Sequence, residues 1–145
     1  RKTWWTKADR ARFDAKAKRL VKEFNAYEVA PGMRVNGKLT LGENIADLGG
    51  ISIAYDAYQL RLRETGRKNI SGYTPEQRFF LGYATTEREQ ERPEYRKTMV
   101  MTDPHSPSKF RVNGPLSNLP EFYESFGVQK GDRLYREPSD RAKIW

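Results

Sequence analysis

Apolar positions recur at helical spacing along most of this chain, and polar turn signals divide the stretches. Phe13, Ala17, Leu20, Val21 and Phe24 follow a helical period, and Thr6-Lys-Ala-Asp9 ahead of them has the form of a capping box. Together they predict a helix from Thr6 to about Phe24. Pro31-Gly32 and Asn36-Gly37 are turn signals. Ile45, Leu48, Ser52, Tyr55 and Leu62 mark a second helix of about twenty residues, into which Val35–Leu41 leads. It should end near Thr65-Gly66, with the glycine in the left-handed C-terminal cap. Arg67–Tyr73 reads as a polar connection. Thr74-Pro-Glu-Gln77 is a helix start in which Thr74 caps, Pro75 fits the first turn and Gln77 closes the box. Phe79, Phe80, Tyr83 and Ala84 give that helix its apolar side, and Thr85–Arg92 is then uniformly polar. A short helix is predicted from Arg92-Pro-Glu-Tyr95 to about Met101. A last one follows Asn118-Leu-Pro-Glu121, with Phe122 and Phe126 four apart and Gly127 as its stop. No repeat, low-complexity run or linker interrupts the chain, so the pattern predicts a mainly α unit.

The second helix carries two features that its apolar stripe does not explain. Gly49 and Gly50 lie inside it, each costing about 1 kcal/mol against Ala, so another backbone or a bulky group is expected close by. Glu43 and Asp47 stand four apart, which puts both carboxylates on one face. On spacing alone this face is either solvated or buried. If it is buried, a cation or hydrogen-bond donors must meet the acids, because an unpaired buried carboxylate is costly.

Composition narrows the choices. The chain has 145 residues, 37% hydrophobic and 32% charged, which is polar for a compact domain and suits a piece of a larger one. It has no cysteine, which excludes disulfides and thiolate metal sites. It has one histidine, His105, whereas a catalytic zinc site takes three protein ligands. No apolar run approaches the ~20 residues of a membrane span. The formal net charge is +8, much of it early, from Arg1 and Lys2 through Lys22. A basic, nucleic-acid-binding helical domain is one reading of that charge. Trp4, Trp5, Phe13 and Phe24 fit a core stripe better than a base-stacking platform, so the basic helix reads as a solvated face and no nucleic acid is expected.

The string Gly42-Glu-Asn-Ile-Ala-Asp-Leu-Gly-Gly50 resembles the third-ligand helix of the neprilysin-type zinc metallopeptidases, the family that includes neprilysin and endothelin-converting enzyme. The resemblance implies that Glu43 is a zinc ligand and that Asp47 orients a ligating histidine. Both roles suit zinc, which accepts carboxylate with imidazole and whose histidines donate their other N–H to a carboxylate. A second string, Thr102-Asp-Pro-His-Ser-Pro107 followed by Phe110-Arg-Val-Asn-Gly114, matches the same family. Pro104 and Pro107 hold His105 in extended or turn backbone. By the resemblance, His105 donates to the oxyanion of a tetrahedral intermediate, Asp103 orients His105, and Arg111 binds a substrate backbone carbonyl. Trp4-Trp5 matches the sequence that follows the family's His-Glu-x-x-His helix, and Lys143-Ile-Trp145 matches its C-terminal end. Asn25-Ala-Tyr27 copies a substrate-binding motif but stands in the wrong order, and no substrate role is expected. Thr85–Arg92 departs from the family, which usually has a tryptophan there, and no catalytic residue is expected in it.

The resemblance covers essentially the whole chain. It implies that residues 1–145 are the C-terminal helical part of a thermolysin-like zinc metallopeptidase catalytic domain, without the His-Glu-x-x-His helix. The parent is then expected to be a zinc-dependent endopeptidase or oligopeptidase that hydrolyses peptide substrates through a metal-activated water. This chain alone is expected to be inactive. Its partner is the remaining N-terminal part of the domain, and the implied location is extracytoplasmic. The alternative is a non-catalytic binding or scaffold module that keeps the fold.

Overall fold

The computed structural model describes residues 4–144, so the charges of Arg1 and Lys2 and the Trp145 tail lie outside the described residues. The chain is mainly α: α1 Lys7–Asn25, a hairpin of β1 Glu28–Ala30 and β2 Met33–Arg34, α2 Leu41–Thr65, α3 Pro75–Thr86, α4 Pro93–Thr102, α5 Ser108–Leu116 and α6 Pro120–Phe126, then a 3-10 turn Pro138–Asp140. Helix starts follow the side-chain caps. Thr6 Oγ1 accepts the Asp9 N–H at the head of α1, and Thr74 and Gln77 form a reciprocal capping box at the head of α3. Gly127 closes α6 in the left-handed conformation, at φ 64°. Gly66 departs from the expected cap. Its φ is 82° but its ψ is 166°, an extended arrangement open to glycine, with its N–H on the Leu62 carbonyl.

The long helix α2 is the centre of the fold and packs against both α1 and α5, while α3 packs on α6. Leu48 and Ile51 of α2 meet Leu20 and Phe24 of α1, Phe80 of α3, Phe110 and Leu116 of α5 and Phe122 of α6 in one core. Tyr27 stacks on Phe110 with ring centroids 4.6 Å apart, which fastens the chain after α1 to α5.

After the proline-held turn at His105 the chain enters a helix at Ser108 that the sequence pattern does not predict. Val112, Asn113, Gly114 and Pro115 are all poor helix formers, so α5 is made by packing rather than propensity. Gly114 lies against Phe24: a Cβ there would come 2.5 Å from the ring's Cζ. Pro115 has no N–H to give the Arg111 carbonyl four residues back. The Tyr83 hydroxyl of α3 donates to that carbonyl instead, at 2.8 Å.

One buried acid belongs to the scaffold. The Glu23 carboxylate accepts from Tyr27 Oη at 2.7 Å, Ser117 Oγ at 3.0 Å and Asn118 Nδ2 at 2.8 Å, and pairs with Arg136 Nη2 at 3.2 Å. It joins α1 to the α5–α6 junction and to the segment beyond α6. Burial, followed by the Glu23 charge, pushes the Tyr27 hydroxyl well above the ordinary tyrosine value.

One expectation is corrected on the surface. Trp4 is 84% exposed and is no part of a core stripe, although Phe24 is fully buried. No atom comes within 4 Å of where a Gly50 Cβ would sit, so the group expected beside this glycine is not supplied by the described chain. Gly42, Ala46, Gly50 and Ala54 instead form an exposed stripe along α2, flanked by exposed Ile53 and Leu60. A cavity of about 540 Å³ opens between this stripe and α3, where Phe79, Gly82 and Tyr83 line it.

Candidate active site

The first turns of α2 carry Glu43 and Asp47 on one face, and the residues that meet them come from beyond α4. Asn44 makes this placement possible. It is 1% exposed, donates to Thr40 Oγ1 at 2.9 Å and accepts from Ser106 Oγ at 2.8 Å. A buried amide satisfied on both ends pins the 103–107 loop to the start of α2.

His105 therefore stands over Glu43, with its Nε2 3.2 Å from Glu43 Oε2. Both side chains are part exposed, His105 at 48% and Glu43 at 40%. On the other side of the ring, Asp103 Oδ1 accepts the His105 backbone N–H at 2.7 Å and lies 2.8 Å from Nδ1. These hydrogen bonds, the backbone one first and the ring one next, hold the Asp103 carboxyl below its usual range.

One turn along α2, Asp47 receives a parallel fork from Arg111, Nε to Oδ2 at 2.9 Å and Nη2 to Oδ1 at 2.7 Å. The hydrogen bonds to Asp47 raise the Arg111 guanidinium further above its ordinary value, against the opposing effect of burial. Glu87, the C-cap of α3, brings Oε2 to 3.5 Å from Arg111 Nη1. Tyr83 beneath them is held well above the ordinary tyrosine value by burial, and then by the charges of Asp47 and Glu87.

All five residues singled out in the sequence thus lie along one wall, as two linked groups: Asp103–His105–Glu43 and Asp47–Arg111. Sequence reasoning missed three others. Asn44 lay inside the quoted string without a role, and its i, i+4 relation to Thr40 was the available signal. Tyr83 read as core only. Glu87 lies in the polar stretch where no site residue was expected, and nothing local to it names Arg111 as its partner.

The model of peptidase family M13 matches residues 1–142. The chain belongs to peptidase family M13. Among M13 relatives it is 41% identical over 145 residues to endothelin-converting enzyme 1 of Rattus norvegicus, covering 98% of this chain and 19% of that protein. It is 35% identical over 147 residues to neprilysin of Homo sapiens, again over 98% of this chain and 19% of that protein. The zinc metalloprotease Zmp1 of Mycobacterium tuberculosis, in complex with an inhibitor, superposes with a TM-score of 0.94 at 41% identity, over 99% of this chain and 23% of that one. PepO from Lactobacillus rhamnosis does so at 0.79 and 37% identity, over 98% of this chain and 21% of that one. The chain therefore spans about a fifth of the length of the relatives it matches.

Zmp1 is a zinc metalloprotease, and zinc is the metal that this donor set has to fit. Glu43 offers a part-exposed carboxylate whose contact is a single histidine, a ligand type zinc accepts. No group of three or more His, Cys, Asp or Glu that could hold a metal occurs among the described residues. The described residues thus fit one carboxylate ligand and do not by themselves make a zinc site.

Proposed function

We propose that residues 1–145 are the C-terminal part of the catalytic domain of a zinc-dependent endopeptidase or oligopeptidase, whose His-Glu-x-x-His helix lies outside this chain. The observation that carries this reading is the convergence of Glu43 and His105 at 3.2 Å, with the Asp47–Arg111 fork one turn further along the same wall.

Zinc, when bound, polarises the scissile carbonyl and lowers the pKa of a water. Glu43 is the ligand this chain supplies. Asp47 gives Arg111 two of its roughly four acceptor positions, which leaves others for the N–H of a ligating histidine from outside the chain. His105 stabilises charge on the carbonyl oxygen of the peptide bond under attack. With its Nδ1–H given to Asp103, Nε2 is a donor when the ring carries both protons. Arg111 keeps its Nη1 donors outside the Asp47 fork, and these take a backbone carbonyl of the peptide substrate.

The remaining N-terminal part of the domain is the partner that covers the Gly42–Ala54 stripe. One face of α2 leaves Gly42, Ala46, Gly50, Ile53 and Ala54 exposed together, and an exposed apolar face marks a contact surface. No helix among the described residues is long and apolar enough to cross a membrane. An extracytoplasmic location is proposed on the family resemblance. The test is peptide hydrolysis by the zinc-loaded parent protein, abolished by chelation and restored by zinc. A fully zinc-loaded parent that cleaves nothing in a broad peptide panel overturns the reading.

A further inference from the structure

Between the 103–107 loop and the end of α3 lies a cleft of about 210 Å³, lined by His105, Arg111, Glu87 and Glu89 among others. It is smaller than the ~300 Å³ at which pockets for drug-sized molecules begin, and suits one side chain. Its charges are unbalanced. Glu91 is matched by Arg96 at 3.1 Å, and Arg111 is matched by the Asp47 fork. That leaves Glu87 and Glu89 in excess. Glu89 accepts a hydrogen bond from Ser108. Glu87 does not share that satisfaction. Its side chain is only 18% exposed, and its contact with a cation is the 3.5 Å approach to Arg111 Nη1, too long for a hydrogen bond. A carboxylate has about four acceptor positions, and among the described residues Glu87 fills none of them with a hydrogen bond.

We propose that Glu87 is a specificity-determining residue that receives a basic side chain of the peptide substrate, lysine or arginine, from the residue whose backbone carbonyl Arg111 binds. The inference rests on the function proposed above and deepens it. Glu87 sits beside the Arg111 nitrogen that faces away from Asp47, so a peptide held there by its carbonyl places its side chain in the same cleft. A substrate cation gives Glu87 the short, charge-assisted hydrogen bonds that Arg111 Nη1, 3.5 Å away, does not. A carboxylate in that place faces the like charges of Glu87 and Glu89, so acidic side chains are rejected.

The experiment uses the zinc-loaded parent and peptides identical except for Lys, Met or Glu at each of the three positions after the cleaved bond. At one position Lys should exceed Met in kcat/KM by about tenfold, with Glu poorest. Glu87→Gln should bring the Lys-to-Met ratio close to one whatever it does to the absolute rates, and Glu87→Asp should keep part of the preference. Equilibrium binding of the same peptides to the zinc-free parent repeats the comparison without chemistry. Tighter binding of the Lys peptide by a parent that cleaves nothing overturns the peptidase reading and leaves the cation site standing. Hydrolysis with no preference for Lys, or a preference that survives Glu87→Gln, overturns the cation site alone.

Discussion

Arg111 and Asp47, 64 positions apart in the chain, meet in two parallel hydrogen bonds of 2.7 and 2.9 Å. The pair joins α5 to α2 where both are most involved in the candidate site. A planar fork fixes direction as well as distance, so the guanidinium is held for whatever its free edge binds. Arg111→Met in the parent should raise KM and the Kd of substrate-like inhibitors about ten- to a hundredfold, with a smaller change in kcat. Arg111→Lys should not rescue it, because an ammonium cannot make the fork. Steady-state kinetics with zinc content checked decides the matter, and an unchanged KM in both variants removes Arg111 from substrate binding.

His105 and Arg111 should fail differently. His105→Ala should lower kcat by about 10²–10³ and leave KM nearly alone, as expected for a donor that acts on developing charge. Asp103→Asn should give a milder version, since it keeps a hydrogen bond and loses the charge. Zinc lost in proportion to activity in His105→Ala would instead make His105 a metal ligand.

The Asp103–His105 contact has a defined pH range. Asp103 is held below its usual 3.8 by the His105 backbone N–H first and the ring second. A carboxyl depressed in the folded state adds stability above its unfolded pKa and loses it as pH falls through the lower folded value. The contact should therefore be intact at about pH 5 and disappear only below the ordinary aspartate range. An NMR titration of the Asp103 carboxyl checks this, and a midpoint at or above 3.8 contradicts it.

Much of this fold is legible where local chemistry and tertiary packing agree. Thr6, Thr74 with Gln77, and Gly127 mark helix ends by capping, and the stripes through Phe24, Leu48 and Phe80 are the core. Helix α5 is not legible, because Asn113, Gly114 and Pro115 oppose helix locally and only Phe24, Tyr27 and Tyr83 around it make the conformation stable. The short hairpin was visible only as its Pro31-Gly32 turn. In the site, the acids Glu43 and Asp47 and the 103–111 stretch were readable as strings. Their pairing was not, since no local period links Asp47 to Arg111 or Glu87 to either.

The buried Glu23 network predicts a stability effect separate from the site. Glu23→Ala takes the carboxylate partner from Arg136, and leaves Ser117 and Asn118 with only the Gly114 carbonyl as acceptor. Breaking a buried pair from one side costs about 3–5 kcal/mol. The denaturation midpoint of the parent should fall accordingly, and an unchanged midpoint contradicts the role of the network.

Two glycines separate contacts within the chain from contacts with its partner. Gly114→Ala forces a Cβ against the fully buried Phe24 ring and should cost about 1–3 kcal/mol by overpacking. At Gly50 an added Cβ meets nothing among the described residues. If the rest of the catalytic domain covers the α2 stripe, Gly50→Leu should nonetheless lower the parent's thermal stability. A parent that tolerates it without change leaves that face uncovered.

The central claim, that α2 supplies a zinc ligand, is tested by metal analysis of the purified parent. The wild type should hold about one zinc per chain. Glu43→Gln should lose tight binding, and Asp47→Ala should weaken zinc affinity about 10–100-fold. Unchanged zinc content and affinity in both variants would contradict the account.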